Sequence, residues 1–224
     1  MTARPQRARS TAQKQLRRAD ILDAADRHLT EVGFEAFSMA SLGRLAGVAK
    51  GTLYLYFETR EDVLLALFIA KLDAWRSAME EHTPARDTDA AFAQRFHAEA
   101  SAQANLLPLM ARLDSVIEHN VTLPTLIAAK RRMDATLRDL AGILAPRLAL
   151  PPGAMLEAIH VLGALLLGAA QMDAGPCLDS PDIPRDVRQI VTRFSSDELF
   201  TRNAVRILDG IRHDTHTETG DHAT

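Results

Sequence analysis

Apolar residues recur every three or four positions along most of this 224-residue chain, a period that predicts helices. Leu22, Ala25, Leu29 and Val32 line one side of a helix expected over residues 14–31, with Gly33 as its stop and Phe34 and Phe37 packing the connection that follows. Over 38–57 the pattern shortens into two helices joined by a glycine. Met39, Leu42, Leu45 and Ala46 give the first an apolar face, Gly47 ends it, Val48 plugs the joint, and Leu53 and Phe57 point inward from the second. This is the outline of a helix-turn-helix. Thr59 caps a longer helix running to about residue 81, with Glu61 and Asp62 in its first turn and Leu64, Leu67, Phe68, Leu72, Trp75 and Met79 as its stripe. A polar break at 83–89 follows, then helices near 90–105, 107–120, 123–148, 153–174 and 197–212. Pro108 and Pro124 suit first turns, and 175–184 reads as a loop. The expected fold is all-α.

Beside the inward Leu53 and Phe57, the residues Lys50, Gly51, Thr52, Tyr54 and Tyr56 form a strip holding a cation, hydroxyls and a spot bare of side chain. Such groups reach phosphates and base edges when a helix enters a major groove. The run Ala46-Gly-Val-Ala-Lys-Gly-Thr-Leu-Tyr-Leu-Tyr-Phe57, followed by Glu58-Thr-Arg-Glu-Asp-Val-Leu64, closely resembles the DNA-binding signature of the TetR family of bacterial transcriptional regulators. The motif-bearing resemblance runs from about residue 21 to 68; beyond it only the all-helical plan and the length agree. Two positions depart from the family's usual pattern. Ala49 stands where a serine commonly caps the recognition helix, and Arg60 where a lysine commonly opens the next. The resemblance implies that Lys50 and Gly51 approach bases, that Thr52, Tyr54, Tyr56 and Arg60 hold phosphates, and that Ser41 and Arg44 add contacts from the preceding helix.

Charge sharpens this picture. The total is −3, but residues 1–60 carry ten Lys or Arg against six Asp or Glu, and residues 61–224 carry sixteen against twenty-three. Only the N-terminal part suits a polyanion. Arg4, Arg7, Arg9, Lys14, Arg17 and Arg18 precede the first acid, and residues 1–13 read as a flexible basic arm that either reaches DNA or aids solubility. Cys177 is the only cysteine, so no intrachain disulfide forms; no secretory leader is read, and a cytoplasmic protein is expected. The apolar run 158–172 falls short of the roughly 20 residues that span a bilayer, so no membrane role is expected.

The helix from Gly153 is apolar on nearly every side, and such a helix must be covered all round. It is either the central helix of one domain or, with the stripe of the last helix, half of a four-helix dimer interface built from Ile159, Gly163, Leu167, Phe200, Ala204, Ile207 and Ile211. The TetR resemblance favours the dimer. It also implies a small-molecule pocket among the C-terminal helices, for which Phe96, Met110, Leu113, Ile117, Met133 and Leu137 are apolar candidates and His97, Asn120, His160 and Gln171 polar ones.

No phosphate loop, nucleophile elbow or metalloprotease helix is present, so neither catalysis nor a cofactor is expected. His213, His216 and His222 lie in a polar tail that reads as solvated, and no metal is expected there. Asp114 and Glu118, four apart, either face solvent or receive a cation. The domains expected are an arm at 1–13, a DNA-binding head at 14–58, a ligand-binding and dimerisation domain at 59–212 opening with a connecting helix at 59–82, and a flexible tail at 213–224. The reading is a homodimeric repressor that binds a palindromic operator in double-stranded DNA and is released by a small apolar or amphipathic effector. The alternative is a DNA-bound protein of the same fold that acts through a protein partner.

Overall fold

Caps and glycines punctuate the chain much as its pattern predicts. The computed structural model describes residues 5–173, 183–191 and 196–221, and every element among them is helical. The order is α1 (Pro5–Ala36), α2 (Met39–Leu45), α3 (Lys50–Tyr54), α4 (Arg60–His82), α5 (Asp89–Ala102), α6 (Leu106–Met110), α7 (Leu123–Leu148), α8 (Pro152–Asp173), α9 (Arg185–Val191) and α10 (Ser196–Asp221). Gly33 leaves helical geometry at φ 73, as expected of the stop after residue 32.

Several expectations are corrected. The arm expected to be flexible is helical from Pro5, since its Gln, Arg and Ala residues extend α1 backwards and proline is tolerated at a helix start. The tail expected to be flexible continues α10 to Asp221. The single helix expected at 107–120 is three pieces: α6, a π-helical turn Leu113–Ile117 and a 3₁₀ turn Glu118–Asn120. Arg112, at φ −111 and ψ 2, interrupts it. The short α9 has no counterpart among the expected helices, and Cys177 lies outside the described residues. The stretch Pro152–Met172 is 21 residues long, enough by length and composition to cross a membrane, contrary to the shorter run read from the sequence.

The chain forms two compact units, residues 1–71 with 104–132 and residues 72–103 with 133–224. The division passes through α4 and α7. The expected boundary at 58 therefore falls inside the first unit, and the polar break at 83–89 inside the second.

In the first unit α2 packs on α1 and α3 on α2, with Ile21, Ala25, Phe37, Leu42, Leu53 and Phe57 buried. Asn105, in the left-handed region at φ 66, ties the start of α6 to α1: its Nδ2 lies 2.8 Å from Asp26 Oδ1 and 2.8 Å from Thr30 Oγ1. In the second unit α10 packs on α8 and α5. Its centre is aromatic: Trp75 meets Phe96 edge-on at 4.9 Å, and Phe96 stacks on Phe200 at 5.7 Å. Arg212 donates to Leu148 O at 2.8 Å, capping α7, and to Asp89 Oδ1 at 2.7 Å, so one side chain fastens α10 to two neighbours.

Candidate nucleic-acid interface

Local chemistry sets the two short helices. Ser38, extended at φ −144 and ψ 153, caps α2 by accepting the Ser41 N–H at 3.2 Å. At the other end the Gly47 N–H donates to Arg44 O at 3.3 Å and the Val48 N–H to Gly43 O at 3.0 Å, with Gly47 at φ 62. This paired bonding is a Schellman stop, and its left-handed residue is the reason a glycine stands there. Ala49 occupies the N-cap of α3 with extended backbone and no side-chain bond, so the first amides of α3 lack a protein acceptor from that cap. Thr59 and Asp62 then cap α4 reciprocally: the Asp62 N–H donates to Thr59 Oγ1 at 3.0 Å and the Thr59 N–H to Asp62 Oδ2 at 2.9 Å.

This framework sorts the expected DNA-contacting residues. Arg44, Lys50, Gly51 and Tyr54 are exposed, and Thr52 and Tyr56 are partly so. The Lys50 ammonium lies 5.9 Å from the centre of the Tyr54 ring, within cation–π range. Two of the expected residues are engaged within the head. Ser41 Oγ lies 2.6 Å from His28 Nε2, 2.7 Å from Ser38 Oγ and 2.9 Å from Ser38 O, so its hydroxyl is used inside the head. Arg60 donates through Nη2 to Phe34 O and rests its guanidinium 4.5 Å from the centre of the Phe34 ring, which Arg112 also approaches at 4.8 Å. Its charge is turned toward the end of α1.

Two α1 cations not assigned from the motif lie beside it. Lys14 Nζ lies 6.0 Å from the Tyr56 ring centre and the Arg18 guanidinium 5.0 Å from that of Phe57, so the α1 cations sit beside the turn that follows α3. Their spacing of four on one helix was the available signal. Leu45, expected on the buried face, is 46% exposed, and Leu55 is 76% exposed.

The other expected sites are dispersed. Met110, Leu113, Ile117 and Asn120 belong to the first unit, whereas Phe96, His97, Met133, Leu137, His160 and Gln171 belong to the second. Asn120 and His160 are exposed and bond to carbonyls of their own turns, Val116 O at 2.7 Å and Leu156 O at 2.8 Å; Gln171 is exposed too. Of the four polar candidates only His97 is partly buried, with Nδ1 3.6 Å from Asp197 and its ring against Phe200. Two cavities of about 480 and 400 Å³ lie in the first unit, and none of these ten residues lines either. Lys130 lies 2.7 Å from Glu118 and 3.7 Å from Asp114, so that carboxylate pair already has its cation. Among the described residues no three His, Cys, Asp or Glu side chains gather closely enough to hold a metal.

The residues expected at the dimer interface divide as well. Ile159, on α8, and Phe200 and Ala204, on α10, are buried within the subunit, where α10 packs on α8 and α5. Gly163, Leu167, Ile207 and Ile211 remain partly open. The outward face of α8 instead carries Val161, Ala164, Gly168 and Met172, all exposed.

Comparison with known proteins places these features. Residues 21–67 match the family described as bacterial regulatory proteins, tetR family, and residues 69–176 match the tetracyclin repressor-like C-terminal domain. The chain is 39% identical over 69 residues to the fatty acid metabolism regulator protein of Bacillus subtilis, a match covering 31% of this chain and 36% of that protein. In fold it is similar to a TetR transcriptional regulator from Rhodococcus sp. RHA1, with TM-score 0.58, 17% identity, and 89% of this chain and 97% of that one covered. It is also similar to the fatty acid degradation regulator FadR from Bacillus halodurans, with TM-score 0.53, 17% identity, and 85% and 93% covered.

Proposed function

The chain belongs to the TetR family and is a DNA-binding transcriptional regulator, and from that premise we propose that it is a homodimeric repressor of a palindromic operator, released by a small apolar or amphipathic molecule. The observation that carries the DNA contact is the open strip of Lys50, Gly51 and Tyr54 on a helix whose other side is fixed by the buried Leu53 and Phe57. Two such helices related by two-fold symmetry read half-sites one helical turn apart, about 34–36 Å. Lys50 and Gly51 approach base edges; Arg44, Thr52, Tyr54 and Tyr56 hold the phosphates that fix the register.

Release requires that a ligand bind the free and the DNA-bound states unequally. The aromatic and methionine-bearing interior of the second unit, with Trp75, Met79, Phe92, Phe96 and Met133 buried, suits an apolar occupant. The name of the Bacillus subtilis relative makes fatty acids the first compounds to test. Trp75 is the only tryptophan, 4% exposed, and reports on that interior by its fluorescence. Coupling of this kind amounts to about 1–3 kcal/mol, so a ligand that quenches or shifts Trp75 should weaken operator binding roughly 5–150-fold, and operator should weaken the ligand by the same factor. Titration of the full chain with each partner, alone and in the presence of the other, checks both legs. A ligand bound with no reciprocal effect would move the assignment to the protein-partner alternative.

A further inference from the structure

Leu55 is 76% exposed, the most open of the large apolar side chains among the described residues. It follows α3 at φ −74 and ψ −18, and the Tyr56 and Phe57 N–H groups both reach Leu53 O, at 3.0 and 3.1 Å, so helical geometry persists through it. With about 100° of turn per residue, the buried Leu53 and Phe57 mark one side of the helix, and Gly51 and Leu55, four apart, mark the opposite side, about 180° away. A Cβ built on Gly51 meets no heavy atom within 4 Å. The outermost line of the recognition helix is therefore bare backbone followed by an isobutyl group, with Thr52 and Tyr54 on its two flanks.

A leucine in that position gains nothing from phosphates, which are charged and hydrated. The major groove offers one apolar group at base-edge depth, the C5-methyl of thymine. We infer that Leu55 is a specificity-determining residue that reads a thymine methyl in each half-site, an inference that rests on the DNA-binding reading of α3. Gly51 supports it by removing the side chain that would otherwise hold the helix away from the bases. Leu53, on the opposite side and fully buried, serves the core and cannot take this role.

The test uses a duplex enriched by the full-length protein from a random pool. Each thymine of its half-sites is replaced singly by deoxyuridine, which removes the methyl and leaves the hydrogen-bonding edge unchanged. Affinities of wild type and Leu55→Ala are then measured by fluorescence anisotropy. At one thymine per half-site the wild type should lose roughly 3- to 10-fold, while Leu55→Ala, already weaker on the thymine duplex, should lose nothing further. A uridine scan with no position separating wild type from Leu55→Ala overturns the assignment. If Leu55→Ala fails to fold, the wild-type scan decides alone, since a scan without any methyl-sensitive thymine excludes it. Failure to enrich any duplex would remove the DNA-binding reading itself, a result distinct from enrichment followed by a flat scan.

Discussion

Ala49 opens the recognition helix without a hydroxyl, at φ −62 and ψ 147, backbone angles that a capping serine adopts without strain. Ala49→Ser should therefore stabilise the protein by about 1 kcal/mol, since the new oxygen would accept an amide at the start of α3. A urea melt of the full chain with an unchanged midpoint would mean that another group already satisfies that amide. Ser41 and Arg44 supply the opposite test. Ser41 is tied into the contacts with His28 and Ser38, so Ser41→Ala should cost about 1–2 kcal/mol of stability and leave operator affinity near wild type. Arg44→Ala should do the reverse, weakening the operator complex with little change in the melt. Binding isotherms and melts on the same two preparations distinguish the roles.

At the scale of the element, α8 explains why an apolar helix can be read in two ways. Its inward residues, Met155, Ile159, Leu162, Leu166 and Ala169, are buried, with α10 packed on the helix, and its outward Val161, Ala164, Gly168 and Met172 are left open. A Cβ at Gly168 would meet nothing within 4 Å in the subunit. Gly168→Glu should thus leave the subunit folded, glutamate being the better helix former. In the proposed dimer the same carboxylate would be buried without a partner, a penalty of several kcal/mol. Sedimentation should show monomers, and operator binding should disappear with the dimer. A Gly168→Glu protein that sediments as a dimer would place the interface on another face.

For the whole molecule, the division of charge between a basic N-terminal part and an acidic remainder sets the response to salt. Every phosphate that a protein cation neutralises steepens the plot of log K against log salt by about 0.9, so Arg44→Ala, removing one phosphate-binding cation per subunit, should make the slope of a dimer shallower by about 2. Arg60→Ala should leave the slope unchanged, because its guanidinium is held at Phe34. Salt titrations of both variants on one operator check this, and a shallower slope for Arg60→Ala would show that the side chain swings out to meet DNA.

Whatever depends on neighbours a few positions apart could be read directly from the order of residues. The Ser38 cap, the Gly47 stop and the Thr59–Asp62 capping pair join residues at most five apart, so local bonding fixes them before any tertiary contact forms. The helix-turn-helix and its exposed strip were legible for that reason. Contacts between distant residues were not. His28 meets Ser41 across 13 positions, Arg60 meets Phe34 across 26, and Asn105 meets Asp26 across 79; each needs packed helices to bring the partners together. Packing of distant helices brings Ser41 to His28 and Arg60 to Phe34 and turns Phe200 and Ala204 into the subunit core. Helical periodicity marks an apolar face without saying what covers it, and the covering surface comes from elsewhere in the chain.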